Sequence, residues 1–202
     1  MEVAAARVCR EAGARVATSV KLRDMILSDI RSRDTRNVEV VANGLPLWGG
    51  AQLVVDTTLV SPWKGDGSPQ PRAADADGAQ LATARRRKEV AYPELTRSRR
   101  CRLVVLGLEV GGRWSEEAAS LIRCLAWAKA RSAPALLRRS VAAAWSSRWS
   151  GLLAVAAQRA FAASLLELPL HGLACADGAE PALSDLLAEA RFSELPPGSR
   201  LA

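Results

Sequence analysis

The sequence predicts an α/β domain: a small mixed β-sheet flanked by helices, in the order αβββαβ, with a helical C-terminal extension. Three observations lead there. Residues 53–60 and 101–110 are dense in Val, Leu and Thr and bounded by Gly or Pro, the pattern of buried strands. Residues 78–92 carry a helical stripe, and Ser115-Glu116-Glu117 marks a second helix start. Strand-like and helix-like segments alternate along one chain of 202 residues, which suits a sheet with helices packed on it.

In chain order, residues 2–14 read as a helix, with Val3, Ala6 and Ala14 near one face and Gly13 weakening its end. Residues 15–25 alternate weakly through Val16, Thr18, Val20 and Leu22, as a strand does, and the polar residues 28–36 form a loop. Residues 38–41 are a short β-branched strand holding Glu39, followed by the turn signal Asn43-Gly44. Gly49-Gly50 breaks the chain before the strand at 53–60, which Pro62 ends because proline cannot donate to a ladder. A loop spans 65–78, and Pro93 stops the following helix. The strand at 101–110 has Glu109 near its end, and the helix capped by Ser115 runs to about residue 131. Residues 135–168 form one or two Trp- and Ala-rich helices, 183–192 a short amphipathic helix, and 196–198 open a frayed tail. Residues 1–131 are assigned to the core and 132–202 to the extension.

Composition narrows the function. Hydrophobic residues make up 49% of the chain, enough for a core, and 28 Lys and Arg against 21 Asp and Glu leave a net charge of +7. The excess of Arg over Lys favours phosphate-rich partners, or else reflects a GC-biased genome. Cys9, Cys101, Cys124 and Cys175 show no C-x-x-C spacing and read as reduced, mostly buried thiols of an intracellular protein. The N-terminus has no signal-peptide pattern, and residues 151–170 are too polar to span a bilayer. His171 has no Ser or Cys motif around it, and no phosphate-binding glycine loop occurs. Trp48 and Trp63 flank the strand at 53–60 and read as core residues ahead of base-stacking ones; Trp114, Trp127, Trp145 and Trp149 read as helix packing.

The chemistry centres on Asp56. Strand alternation points Val54, Asp56 and Thr58 to one face and Val55, Thr57 and Leu59 to the other. An ionised Asp among such neighbours needs backbone donors, a cation or a metal. On the helix at 78–92, Leu81, Ala84, Lys88 and Tyr92 share a face with Arg85 beside them, so Lys88 lies on the apolar side, where it either snorkels or is paired. Two carboxylates on neighbouring strands, Glu39 and Asp56, with Glu109 as a further candidate, suit Mg²⁺, with Mn²⁺ as the substitute ion. Lys88 nearby suits the charge that develops at a phosphodiester. Arg85, Arg86 and Arg87, with Arg97, Arg99, Arg100 and Arg102, suit backbone phosphates.

Three strings carry a resemblance: Val54-Val55-Asp56-Thr57-Thr58-Leu59-Val60-Ser61-Pro62, Arg87-Lys88-Glu89-Val90-Ala91-Tyr92, and Glu109-Val110-Gly111-Gly112-Arg113-Trp114-Ser115-Glu116-Glu117-Ala118. In this order, across about residues 20–130, they resemble the restriction-like endonuclease region, of PD-(D/E)XK type, found downstream of reverse transcriptase in non-LTR retrotransposon proteins, and protist retroelement-derived proteins in particular. The resemblance implies a metal-dependent DNA endonuclease that nicks target DNA, intact or degenerate. It implies Asp56 as the central acid, Glu39 as the first acid, and Lys88 with Tyr92 on the helix that faces the nucleic acid. Thr58 stands where the superfamily commonly has its lysine, so Lys88 would supply that charge from the helix. The implied partners are DNA and a reverse transcriptase module in a parent polyprotein, with no membrane; the implied location is intracellular, and nuclear for action on genomic DNA. The alternatives are a non-catalytic basic nucleic-acid-binding module and a helical protein–protein module built on the C-terminal half.

Overall fold

The computed structural model describes residues 1–25, 27, 30–167 and 180–190. It has a four-stranded mixed sheet in the order β1-β2-β3-β4, formed by Arg15–Lys21, Asn37–Asn43, Gln52–Val60 and Cys101–Glu109. β1 and β2 are antiparallel, as are β2 and β3, whereas β3 and β4 run parallel over their full length. The return from β3 to β4 carries α2 (Ala79–Ala91) and α3 (Pro93–Arg97), since a parallel pair needs a crossover. The predicted αβββαβ order is the observed one.

Burial on both sides of the sheet accounts for its apolar strands. One side, with Val40, Ala42, Leu53, Val55, Val104, Leu106 and Leu108, packs against α1 (Glu2–Glu11), α4 (Glu116–Ala130) and α5 (Arg138–Leu165). The other forms a smaller cluster in which Val38, Val41, Val54 and Leu103 meet Leu22, Met25 and Leu95 of α3. The extension shares the larger core: Trp145, Trp149 and Leu153 of α5 and Leu186 of α6 (Leu183–Ala190) lie within it. Glu11 pins α5 to α1, accepting from Arg7 Nε at 2.9 Å, Trp149 Nε1 at 2.8 Å and Arg148 NH2 at 3.1 Å. Burial alone would raise the Glu11 pKa, and these bonds reverse the shift to below the usual carboxylate range.

Several boundaries differ from expectation. α1 stops at Glu11 because Gly13 takes φ +100°, a conformation glycine adopts without a Cβ clash. Pro93 ends α2 and also opens α3, since its missing N–H falls in a first turn that has no acceptor for it. Residues 138–165 form one unbroken helix. Trp145 and Trp149 are buried and Trp114 packs against the larger core, but Trp48, Trp63 and Trp127 are exposed, correcting their reading as packing residues. Cys9 and Cys101 are buried and Cys124 is partly so, all as free thiols. His171, Cys175 and the tail from residue 191 lie outside the described residues. No helix among the described residues is long and apolar enough to cross a membrane.

Candidate functional site

Strand register brings two acids together. β2 and β3 pair as Ala42 with Leu53, Val41 with Val54 and Val40 with Val55. One step further would set Glu39 opposite Asp56, but the ladder stops there. The β1–β2 ladder also skips Glu39, where Ser19 of β1 takes φ +51°, a region that L-residues other than Asn and Asp seldom enter. Glu39 is thus left out of both ladders. Its Oε2 instead accepts the Thr57 backbone N–H at 2.8 Å and the Thr57 hydroxyl at 2.6 Å. The side chain stands in for the backbone acceptor that the splayed strand no longer provides.

Asp56 is buried, 1% exposed, and Lys88 of α2 donates to its Oδ1 at 2.7 Å. Burial pushes the Asp56 carboxyl above its ordinary range; Lys88 opposes this and the neighbouring Glu39 adds to it. Burial alone would lower the Lys88 pKa, but the bond to Asp56 and the charges of Asp56 and Glu39 outweigh it, so the ammonium is held more firmly than in water. Tyr92 belongs to the same cluster: burial and the Asp56 charge raise its phenol, which donates to the Asn37 carbonyl at 2.8 Å. Glu39, Asp56, Lys88 and Tyr92 therefore share one electrostatic neighbourhood.

The other candidates fall into three groups. Glu109 is not brought to this cluster. It pairs with Val60 of β3, whereas Asp56 pairs with Val105, four residues away or about 13 Å along the strand. Glu109 faces Arg113 Nε at 3.5 Å, so its reading as a third metal ligand is corrected. Arg85 is not a free cation for phosphate: it is bound by Glu117 of α4 and, at 3.0 Å, by Glu89. Arg86, Arg87, Arg97, Arg99, Arg100 and Arg102 are exposed and have no carboxylate partner among the described residues, which leaves them available to an external anion.

Three further residues belong to the site's surroundings and were not singled out from the sequence as part of it. Thr57 anchors Glu39. Arg36 donates to the Ala91 carbonyl at the end of α2 and pairs with Glu94 at 2.8 Å and Asp34 at 2.6 Å. Glu117 accepts the Val105 N–H at 3.2 Å while holding Arg85. Only Glu117 had any signal, as a first-turn acid of α4, and that signal accounts for a helix dipole, not for a tie to the sheet.

Among the described residues no three or more His, Cys, Asp or Glu side chains group as a metal cage. A divalent ion at this point would have Glu39 and Asp56 as its protein donors, and carboxylate oxygens are the donor type that suits Mg²⁺, an ion that keeps several waters. No family model matches the chain, and no curated protein matches it.

Proposed function

We propose that this chain is a Mg²⁺-dependent DNA endonuclease domain, of the restriction-like kind associated with retroelements, that nicks target DNA. The observation that carries the reading is the meeting of Glu39, Asp56 and Lys88, which are distant in sequence, at the point where β2 and β3 part. Burying an aspartate beside another carboxylate costs stability, and such costs concentrate where chemistry needs them.

Bound Mg²⁺ would supply charge neutralisation at a scissile phosphate and make a coordinated water more acidic. Glu39 and Asp56 would hold the ion, with Thr57 keeping the Glu39 carboxylate in place. Lys88, anchored on Asp56, would present its remaining N–H donors to the attacking water or to a non-bridging phosphate oxygen. Tyr92 would border the substrate, and Arg86, Arg87, Arg97, Arg99, Arg100 and Arg102 would contact phosphates away from the reacting one.

Nicking of supercoiled plasmid tests this. Wild type is expected to convert it to open circle with Mg²⁺ and not with EDTA, and Asp56→Asn is expected to abolish the reaction while the chain stays folded. Wild type that binds DNA but never nicks it sinks the enzyme reading. One observation favours a second reading, a non-catalytic nucleic-acid-binding module: the Lys88 ammonium already compensates Asp56 without a metal. That reading predicts salt-sensitive DNA binding that needs no Mg²⁺ and is unchanged by Asp56→Asn.

A further inference from the structure

The helix that delivers Lys88 is barely attached by apolar contact. Among the residues of α2 only Leu81 is buried, and neither hydrophobic cluster includes a residue of this helix. On the side of α4 it borders a groove of about 1190 Å³, lined by Leu81, Arg85, Val105, Gly107, Ser115 and Glu117 among others, and Asp56 and Lys88 are not in its wall. Beyond Leu81, what holds α2 is polar. Its C-terminal end is fastened by Arg36 on the Ala91 carbonyl and by the Tyr92 hydroxyl on the Asn37 carbonyl. One turn before Lys88, Arg85 reaches across the groove to Glu117, and the same Glu117 carboxylate accepts the Val105 N–H. Val105 is the β4 residue paired with Asp56.

The geometry points to Glu117 as a positioning residue for Lys88: it joins the sheet edge beside Asp56 to Arg85, and so fixes how α2 is rolled over β3. Residues three apart on a helix lie on neighbouring faces, so the roll that sets Arg85 on Glu117 also sets Lys88 on Asp56. Glu89, the second partner of Arg85, lies on α2 itself and can transmit no such constraint. Without Glu117 the C-terminal fastening remains, and the helix pivots about it while both cores stay intact. The inference deepens the endonuclease reading by adding a residue that would govern turnover without touching substrate.

Lysine protection tests it without requiring that the chain cut DNA. The four lysines are Lys21, Lys64, Lys88 and Lys129, few enough to follow singly by mass spectrometry during acetylation. In wild type, Lys88 is expected to acetylate well behind the exposed Lys64. In Glu117→Gln its rate should rise about fivefold, the scale of a charge-assisted bond discounted for an exposed partner, with Lys64 and the circular dichroism unchanged. Glu89→Gln should leave Lys88 protected. Arg85→Gln cuts the same tie from the solvent side and should reproduce Glu117→Gln, which covers the case in which the latter fails to fold. Lys88 as protected in both variants as in wild type overturns the inference. If wild type nicks DNA, Glu117→Gln should lower kcat and leave KM within about twofold, and an unchanged kcat also overturns it; wild type that never nicks defeats the endonuclease reading and leaves the protection result standing.

Discussion

Replacing Lys88 by Met removes the cation bonded to Asp56 and keeps most of the apolar stem. In wild type the Asp56 carboxylate is 1% exposed and the Nζ lies 2.7 Å from its Oδ1. Removing one partner of a buried pair costs about 3–5 kcal/mol. Lys88 is itself 31% exposed and Asp56 can escape by taking up a proton, so the lower figure, about 3 kcal/mol near pH 7.5, applies here. For a chain of this length that lowers Tm by about 6–12 °C. The dependence on pH has a definite sign. Burial and Glu39 already raise the Asp56 pKa, and losing Lys88 raises it further. An acid whose folded pKa exceeds its unfolded value binds its proton more tightly when folded, so the variant loses stability as pH rises through that interval and regains it as pH falls toward the ordinary value of about 3.9. Thermal unfolding at pH 4.5 and 7.5, followed by circular dichroism, should show a large deficit at the higher pH and a small one at the lower. Adding Asp56→Asn should restore part of the loss at pH 7.5, because the charge that Lys88 compensated is then gone as well. An equal deficit at both pH values, or a double variant no more stable than Lys88→Met alone, would refute the reasoning.

Three further outcomes are expected. Glu11→Gln should cost about 2 kcal/mol at pH 7 in urea unfolding, since it removes the charge that Arg7 and Arg148 share; because the Glu11 pKa is lowered on folding, the gap to wild type should narrow as pH falls through the depressed value. Arg86→Gln with Arg87→Gln should weaken DNA binding across sequences and reduce the slope of log K against log salt by about two, whereas Arg85→Gln should leave that slope nearly unchanged. Cys9, whose thiol burial pushes up to about 12, should resist iodoacetamide in the folded chain at pH 8, while the partly buried Cys124 reacts.

β3 and β4 were legible because their apolar, largely β-branched runs are long and closed by Pro or Gly, and α4 because Ser115 accepts the Ala118 N–H as an N-cap does. The face of β3 that carries Asp56 followed from period-two alternation. The pairing of Glu39 with Asp56 did not, because the loop between β2 and β3 is too long to fix register from turn chemistry, and the decisive feature is a ladder that stops. Helical spacing placed Lys88 toward the sheet, yet Arg85 looked like a phosphate contact because its partner, Glu117, lies 32 residues on. Glu109 looked like a ligand because a strand acid near Asp56 in composition is not necessarily near it in register. The exposed Trp48 and Trp63 lie outside the strand between them, Trp48 in a short 3₁₀ turn and Trp63 in an isolated bridge to Pro69, where hydrophobicity alone does not reveal that the chain has left the core.

Whether the Glu39–Asp56 pair holds a divalent cation is read most directly by titrating the chain with Mn²⁺ and following free ion by electron paramagnetic resonance at pH 7.5. One bound ion per chain, displaced by excess Mg²⁺ and weakened at least tenfold in both Glu39→Gln and Asp56→Asn, is the predicted result. Wild type that takes up no Mn²⁺, or takes it up equally well in both variants, would contradict it.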